Sequence, residues 1–272
     1  MYREIKISDW KMFKDTIDQL DSQWIFRGQE DANWKLQTSL ERALGGMNPS
    51  LFEMDLVEKF KQRAPHYIKS ELMPKDELEW MALMQHHGAP TRLMDWTYSP
   101  YVAAYFSLIN ASSDSAVWAL DYTWLQSQAQ VAITQNQVSK LEGFHHGDAW
   151  CSQLNFLDFV YNDKVKLVVP LVPKTLNERQ IIQQGLFLFG SNREYSFEGN
   201  LASLEEQDLH QHFIKIVLDK SVRQDALLEL RLMNITPATL FPGLDGLAQS
   251  ISIDCKLRSD YIWQESNKEE VS

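Results

Sequence analysis

With 272 residues, 44% of them hydrophobic and 11% aromatic, the chain carries enough apolar side chain for one large core or two small ones. A net charge of −11 excludes a protein whose bulk surface clamps nucleic acid, since phosphate binding draws on clustered Lys and Arg, but leaves room for a local basic pocket. Cys151 and Cys255 stand far apart with no C-x-x-C spacing, which argues against a disulfide framework or a zinc knuckle and for a reducing, cytoplasmic setting.

The opening MYREIKISDWKMFKDTIDQL is charged and amphipathic, and no apolar run reaches membrane-spanning length, so neither export nor a membrane partner is expected. Ser8 is a plausible N-cap, and Trp10, Phe13, Ile17 and Leu20 fall on one face of a helix over 9–20. Trp24-Ile25-Phe26 then reads as a short strand that delivers Arg27 to its exit, with Gly28 free to change direction. Phe52, Leu56 and Phe60 predict a helix over 51–64, ended by Ala64-Pro65. A second helix is expected over 76–87, with Trp80, Leu83, Met84 and His87 inward and Gly88 as its stop.

The stretch HGAPTRLMDWTYSP shows little periodicity. Ser99-Pro100 reads as N-cap and N1 of a helix with a Tyr101, Ala104, Tyr105, Leu108 stripe. Val117–Leu120 and Lys166–Val172 look like strands, and the glutamine-rich stretch 123–160 like a polar insertion. Asn177–Gln184 reads as a helix broken by Gly185, LFLFG as a buried strand, Phe213–Leu218 as another strand, and Ser221–Met233 as a helix. No repeat or linker divides the chain, which predicts one α+β domain over 1–250, a mixed β-sheet core with flanking helices, and a fraying polar tail over 251–272. Of nine tryptophans, several (Trp24, Trp34, Trp80, Trp96 and Trp118) fall in regular segments, as packed aromatics do, and most are expected in the core.

Three polar islands interrupt this apolar pattern: Phe26-Arg27-Gly28-Gln29, then Gln85 to Trp96, then Arg179 to Phe187. Arg27 at a strand end can fork two donors onto a phosphate or carboxylate, with Gly28 letting a ligand reach the backbone. A structural ion pair from Arg27 to Asp95 or Asp31 is the competing reading. His86 and His87 point about 100° apart on a helix and do not make a two-histidine metal site. Neither His145-His146-Gly147 with Asp148 nor His210-x-His212 completes a metal motif, so no metal is expected. His87 suits a hydrogen-bonded core or pocket position. Thr91, Arg92, Asp95, Trp96 and Thr97 combine charge, hydroxyls and a flat aromatic, which suits a sugar or nucleobase as well as a structural network. The absence of Gly-x-Ser-x-Gly, a P-loop or Gly-x-Gly-x-x-Gly weighs against hydrolase, triphosphatase and Rossmann readings.

Phe26-Arg27-Gly28, the run Leu83 to Thr97 and Val102-Ala103-Ala104-Tyr105-Phe106 together resemble the FRG domain family, as do Gln184-Gly185-Leu186-Phe187 and Thr239 to Gly246. The resemblance covers about 20–248, with Met94 where leucine is usual. The motif order is similar, more distantly, to the ADP-ribosyltransferase fold, in which an arginine on the first core strand holds NAD, a Ser/Thr motif follows, and a glutamate marks a later strand. That resemblance implies NAD as a substrate, Arg27 on a phosphate, and Thr91 or Thr97 in the second motif. In place of Glu-x-Glu this chain has Gln183 and Gln184, which cannot stabilise an oxocarbenium-like transition state by charge. Asp95 is the candidate for that carboxylate and Gln184 for orienting the ribose. Ligand-binding candidates are Arg27, Gly28, Gln29, His86, His87, Thr91, Arg92, Trp96 and Gln183.

Two readings compete. One is an NAD-binding or NAD-consuming ADP-ribosyltransferase-like enzyme, with a small-molecule nucleotide as partner and a place in bacterial defence or stress response. The other is a noncatalytic module that recognises a nucleotide, a nucleic-acid end or a protein.

Overall fold

The computed structural model describes residues 1–21, 23–135, 165–173, 175–253 and 255. Its strands are β1 (Arg3–Ile7), β2 (Trp24–Gln29), β3 (Leu93–Thr97), β4 (Ser115–Asp121), β5 (Val168–Leu171), β6 (Gly185–Gly190) and β7 (Phe213–Leu218), in one seven-stranded sheet ordered β1-β7-β4-β2-β3-β6-β5. Only β1 and β7 pair parallel; the other neighbours are antiparallel. The helices include α1 (Trp10–Ile17), α2 (Ser39–Leu44), α3 (Glu53–Arg63), α4 (Glu77–His86), α5 (Pro100–Leu108), α6 (Tyr122–Gln135), α7 (Glu178–Ile182), α8 (Phe197–Leu201), α9 (Leu209–His212), α10 (Arg223–Leu232) and α11 (Pro237–Leu240), and residues 244–253 are helical as well. This is an α+β fold with a mixed sheet and flanking helices.

Side chains alternate along the strands and so sort into separate cores. Phe26, Val117, Ala119 and Ile214 join α1, α5 and α10 on one face of the β1-β7-β4-β2 half. Leu93, Val169, Phe187 and Phe189 join α3 and α4 on one face of the β3-β6-β5 half. Ile25, Trp118 and Leu120 from the first half and Met94, Trp96, Val168 and Leu188 from the second share a third cluster. The two half-sheets meet at a single register pair, Phe26 with Thr97.

Local signals place several elements well. Ser99 caps α5 by accepting from the amide of Val102, with Pro100 at N1. Gly88, at φ +79, ends the turn after α4. Asp9 rather than Ser8 caps α1, because its carboxylate accepts from the amide of Met12.

The inward faces of α3 and α4 match the expected ones only in part: Met84 is buried, and Leu56 and Phe60 pack against the same core. Glu53 and Val57 are buried on α3, while Phe52 is exposed; on α4 Leu78, Met81 and Ala82 are buried and His87 lies beyond the helix end, exposed. The buried Glu53 pairs with Arg92, the residue just before β3.

Two strands escaped the sequence reading. β1 is an edge strand with alternating charges, and β3 is buried on both faces except at Asp95, so neither shows a clean apolar alternation. The expected insertion at 123–160 begins as α6, whose Leu125 and Ala129 are buried against the sheet; residues 136–160 and the tail from 256 lie outside the described residues.

Gly28 exists for packing. A Cβ there would stand 2.1 Å from the Ala103 carbonyl oxygen and 2.6 Å from the Ser107 nitrogen, both main-chain atoms of α5. Helix and strand therefore approach more closely than any side chain allows. Gly28→Ala is expected to lower stability by about 3 kcal/mol, read as a lower urea midpoint with an unchanged denaturant slope.

Candidate functional site

Antiparallel pairing continued beyond Phe26 and Thr97 would set Arg27 opposite Trp96 and Gly28 opposite Asp95. Instead β2 and β3 part there, and a cleft of about 770 Å³ opens between the half-sheets. Its walls include Arg27, Gly28 and Gln29 from β2, Asp95, Trp96 and Thr97 from β3, Phe106 from α5, Arg42 from α2, and Arg179 and Gln183 from α7 and its cap.

Arg27 bridges the gap. Its Nη1 donates to the main-chain carbonyl of Asp95 at 2.6 Å, satisfying an acceptor that a paired strand would have satisfied. The expected ion pair with Asp95 or Asp31 does not form: the contact is to Asp95's backbone, and the Asp31 carboxylate accepts from the amide of Asn33. The buried Nε of Arg27 has no hydrogen-bond partner. Burial pushes the guanidinium below its ordinary pKa; Asp95 opposes that shift and Arg42 adds to it. Arginine starts so far above neutrality that the group stays charged. Two like charges thus face one cleft at a cost that an anion would relieve.

Asp95 is the exposed residue of an otherwise buried strand, and a relay holds its carboxylate. Gln85 Nε2 donates to Asp95 Oδ2 at 2.8 Å, and Gln85 Oε1 in turn accepts from the Thr91 hydroxyl at 2.7 Å and from the Ser39 hydroxyl at 3.3 Å. The Thr91 donor orients the Gln85 amide so that its N–H faces Asp95. Within the segment from Gln85 to Trp96, Gln85 and Thr91 therefore serve to place one carboxylate.

The other sequence candidates divide. Arg27, Gly28, Gln29, Asp95, Trp96 and Gln183 line the cleft; His86, His87, Thr91, Arg92 and Gln184 do not. Gln29 is spent on structure, accepting from Trp118 Nε1 at 2.7 Å and donating to the Lys35 carbonyl at 3.1 Å. Trp96 is 2% exposed within the shared core, so its ring offers no stacking surface. Gln183 donates to the Leu240 carbonyl, and its own carbonyl accepts from the Thr97 hydroxyl. Gln184 is exposed in the left-handed turn before β6, at φ 49, outside the cleft and away from the ribose-orienting role expected of it.

Arg92 is a structural residue. Its Nε donates to Glu53 Oε1 at 2.6 Å, its Nη1 to the Gly190 carbonyl at 2.9 Å, and its guanidinium lies 4.3 Å from the Phe189 ring centroid. Thr91, 1% exposed, belongs to the Asp95 relay. His87 lines a separate apolar groove beside α3 and α4. Burial, then His87, then Arg179 hold His86 below its ordinary pKa. His212 pairs with Asp121 at 2.9 Å and stacks on Trp124, tying α9 to β4 and α6.

Lys35, Arg42 and Arg179 are cleft residues that sequence reasoning did not nominate. Arg179 stood inside a polar island, but nothing in spacing connects Arg42 or Lys35 to Arg27. Among the described residues none of Arg27, Lys35, Arg42 and Arg179 has a carboxylate within ion-pair distance. Arg42 donates to the Gln37 carbonyl, and Arg179 lies 4.7 Å from the Phe241 ring centroid.

Arg92→Met is expected to lower stability by about 3–5 kcal/mol because it strands a buried carboxylate, and adding Glu53→Leu to recover most of that loss. Urea denaturation of the single and double variants measures both, and cleft binding should be unchanged in the double variant.

No curated protein and no solved structure matches the chain. No helix among the described residues is long and apolar enough to cross a membrane. The family model of the FRG domain matches residues 22–116, so that stretch, which supplies Arg27, Arg42, Asp95 and the whole Asp95 relay, is similar to the FRG domain.

Proposed function

We propose that the cleft binds a nucleotide and that its ligand is NAD, held by its phosphates and cleaved at the nicotinamide glycosidic bond. The observation that carries this reading is a set of four cations that have no carboxylate partner among the described residues, on the walls of one cleft, in a chain of net charge −11. Unneutralised arginines facing each other are costly unless an anion joins them, and guanidinium forks match phosphate oxygens. The cleft volume of about 770 Å³ falls within the range of small-molecule and cofactor sites.

Asp95 supplies what chemistry needs beyond binding. Cleavage develops positive charge on the ribose as nicotinamide leaves with the bonding electron pair, and a fixed carboxylate stabilises that charge. Water or a target nucleophile then adds to the anomeric carbon. Gln85 and Thr91 would act as positioning residues, keeping the Asp95 carboxylate in one orientation. Depletion of cellular NAD is the route by which such an activity serves defence or stress response.

One observation favours the noncatalytic alternative. The amide of Gln183 is engaged by Leu240 and Gln184 lies outside the cleft, so α7 brings no carboxylate where the ADP-ribosyltransferase resemblance expects one.

Calorimetry with NAD and measurement of nicotinamide release separate the cases. Arg42→Ala is expected to weaken NAD binding about tenfold, ~1.4 kcal/mol, and Arg27→Ala by at least as much. Asp95→Asn is expected to bind NAD normally while release falls about 100-fold. Binding without release supports the recognition module, and no binding at millimolar NAD overturns the nucleotide reading.

A further inference from the structure

Trp34 lies on the cleft wall between β2 and α2 and is 55% exposed. Its exposure does not come from a loose loop. The Ala32 amide donates to the Asp114 carbonyl at 2.8 Å, the Trp34 amide to the Asp31 carbonyl at 3.2 Å, and the Leu36 amide to Glu198 Oε1 at 2.9 Å. Leu36 is fully buried, and the Lys35 carbonyl accepts from Gln29 on β2. The main chain is thus pinned on both sides of an indole that has no aromatic, cationic or hydrogen-bonding partner among the described residues.

The other aromatics of the cleft are committed elsewhere. Trp96 is buried, Phe26 is 3% exposed, and Phe106 meets Phe241 and Tyr105 edge-on. Trp34 alone combines an exposed ring with the neighbouring charge of Lys35 and Arg42 on the same cleft. A flat apolar surface beside unpaired cations matches a ligand with a flat π-face joined to phosphate.

We propose that Trp34 is the base-stacking residue of the cleft and selects ligands in which an aromatic base is joined to phosphate over bare phosphates. This inference rests on the nucleotide reading and adds the group that recognises the base.

Calorimetry of the full chain and its Trp34→Ala and Trp34→Phe variants with NAD, AMP and inorganic pyrophosphate tests it. Trp34→Ala is expected to weaken NAD and AMP about tenfold, as loss of one base–aromatic stack does. Pyrophosphate binding should stay unchanged, and Trp34→Phe should retain most of the affinity. Equal weakening of all three ligands would overturn the stacking role, because the substitution would then have disturbed the cations. Unchanged AMP and NAD binding would also overturn it while leaving the nucleotide reading intact. Wild-type protein that binds none of the three, or pyrophosphate alone, would remove both. Because Trp34 is exposed, its variants should melt close to wild type, and a thermal scan checks that.

Discussion

The hydrogen bond from Arg27 Nη1 to the Asp95 carbonyl spans the place where β2 and β3 stop pairing. A strand that loses its neighbour leaves main-chain donors and acceptors unsatisfied, and a guanidinium is long enough to reach one of them across a widened gap. The same separation makes room for a cleft in the middle of the sheet and exposes Asp95, the single exposed position of β3. Gly28 fixes the other side of the gap, since α5 lies against it too closely for any Cβ. Arginine and glycine therefore do different work: one bridges the opening and the other holds β2 against its helix.

Charge is distributed in the same spirit. The chain is acidic overall, yet the cleft collects Arg27, Lys35, Arg42 and Arg179, none of which has a carboxylate partner among the described residues. Where the fold needs a buried cation it supplies the counter-charge, as Glu53 does for Arg92. The contrast between a neutralised arginine in the core and unneutralised ones in the cleft separates structural from ligand-facing charge, which residue type alone does not. Asp95 sits among these cations but is tied to Gln85, so it is positioned without being consumed by an arginine fork.

Much of the architecture was legible. Caps, glycine stops and apolar runs located α5, the end of α4, β5 and β7, because these signals are local and the chain obeys them wherever it packs. β1 and β3 were not legible: their strand character comes from partners far away in sequence, β7 and β6. Arg92 and Thr91 looked like ligand groups because the motif carrying them is polar, and only burial shows them turned toward Glu53 and Gln85. Trp34 was grouped with the packed aromatics on residue type, and exposure on the cleft wall reversed that.

By itself the sequence determined an α+β chain with Arg27 and Asp95 in two polar islands and no Glu-x-Glu before β6. Tertiary structure decided that these two islands face one cleft, that Arg42, Lys35 and Trp34 join them, and that Gln184, His87 and Arg92 do not. The reason is physical: local propensity acts over a few residues, whereas the cleft is made by where two half-sheets cease to pair, a non-local event that no spacing along the chain encodes.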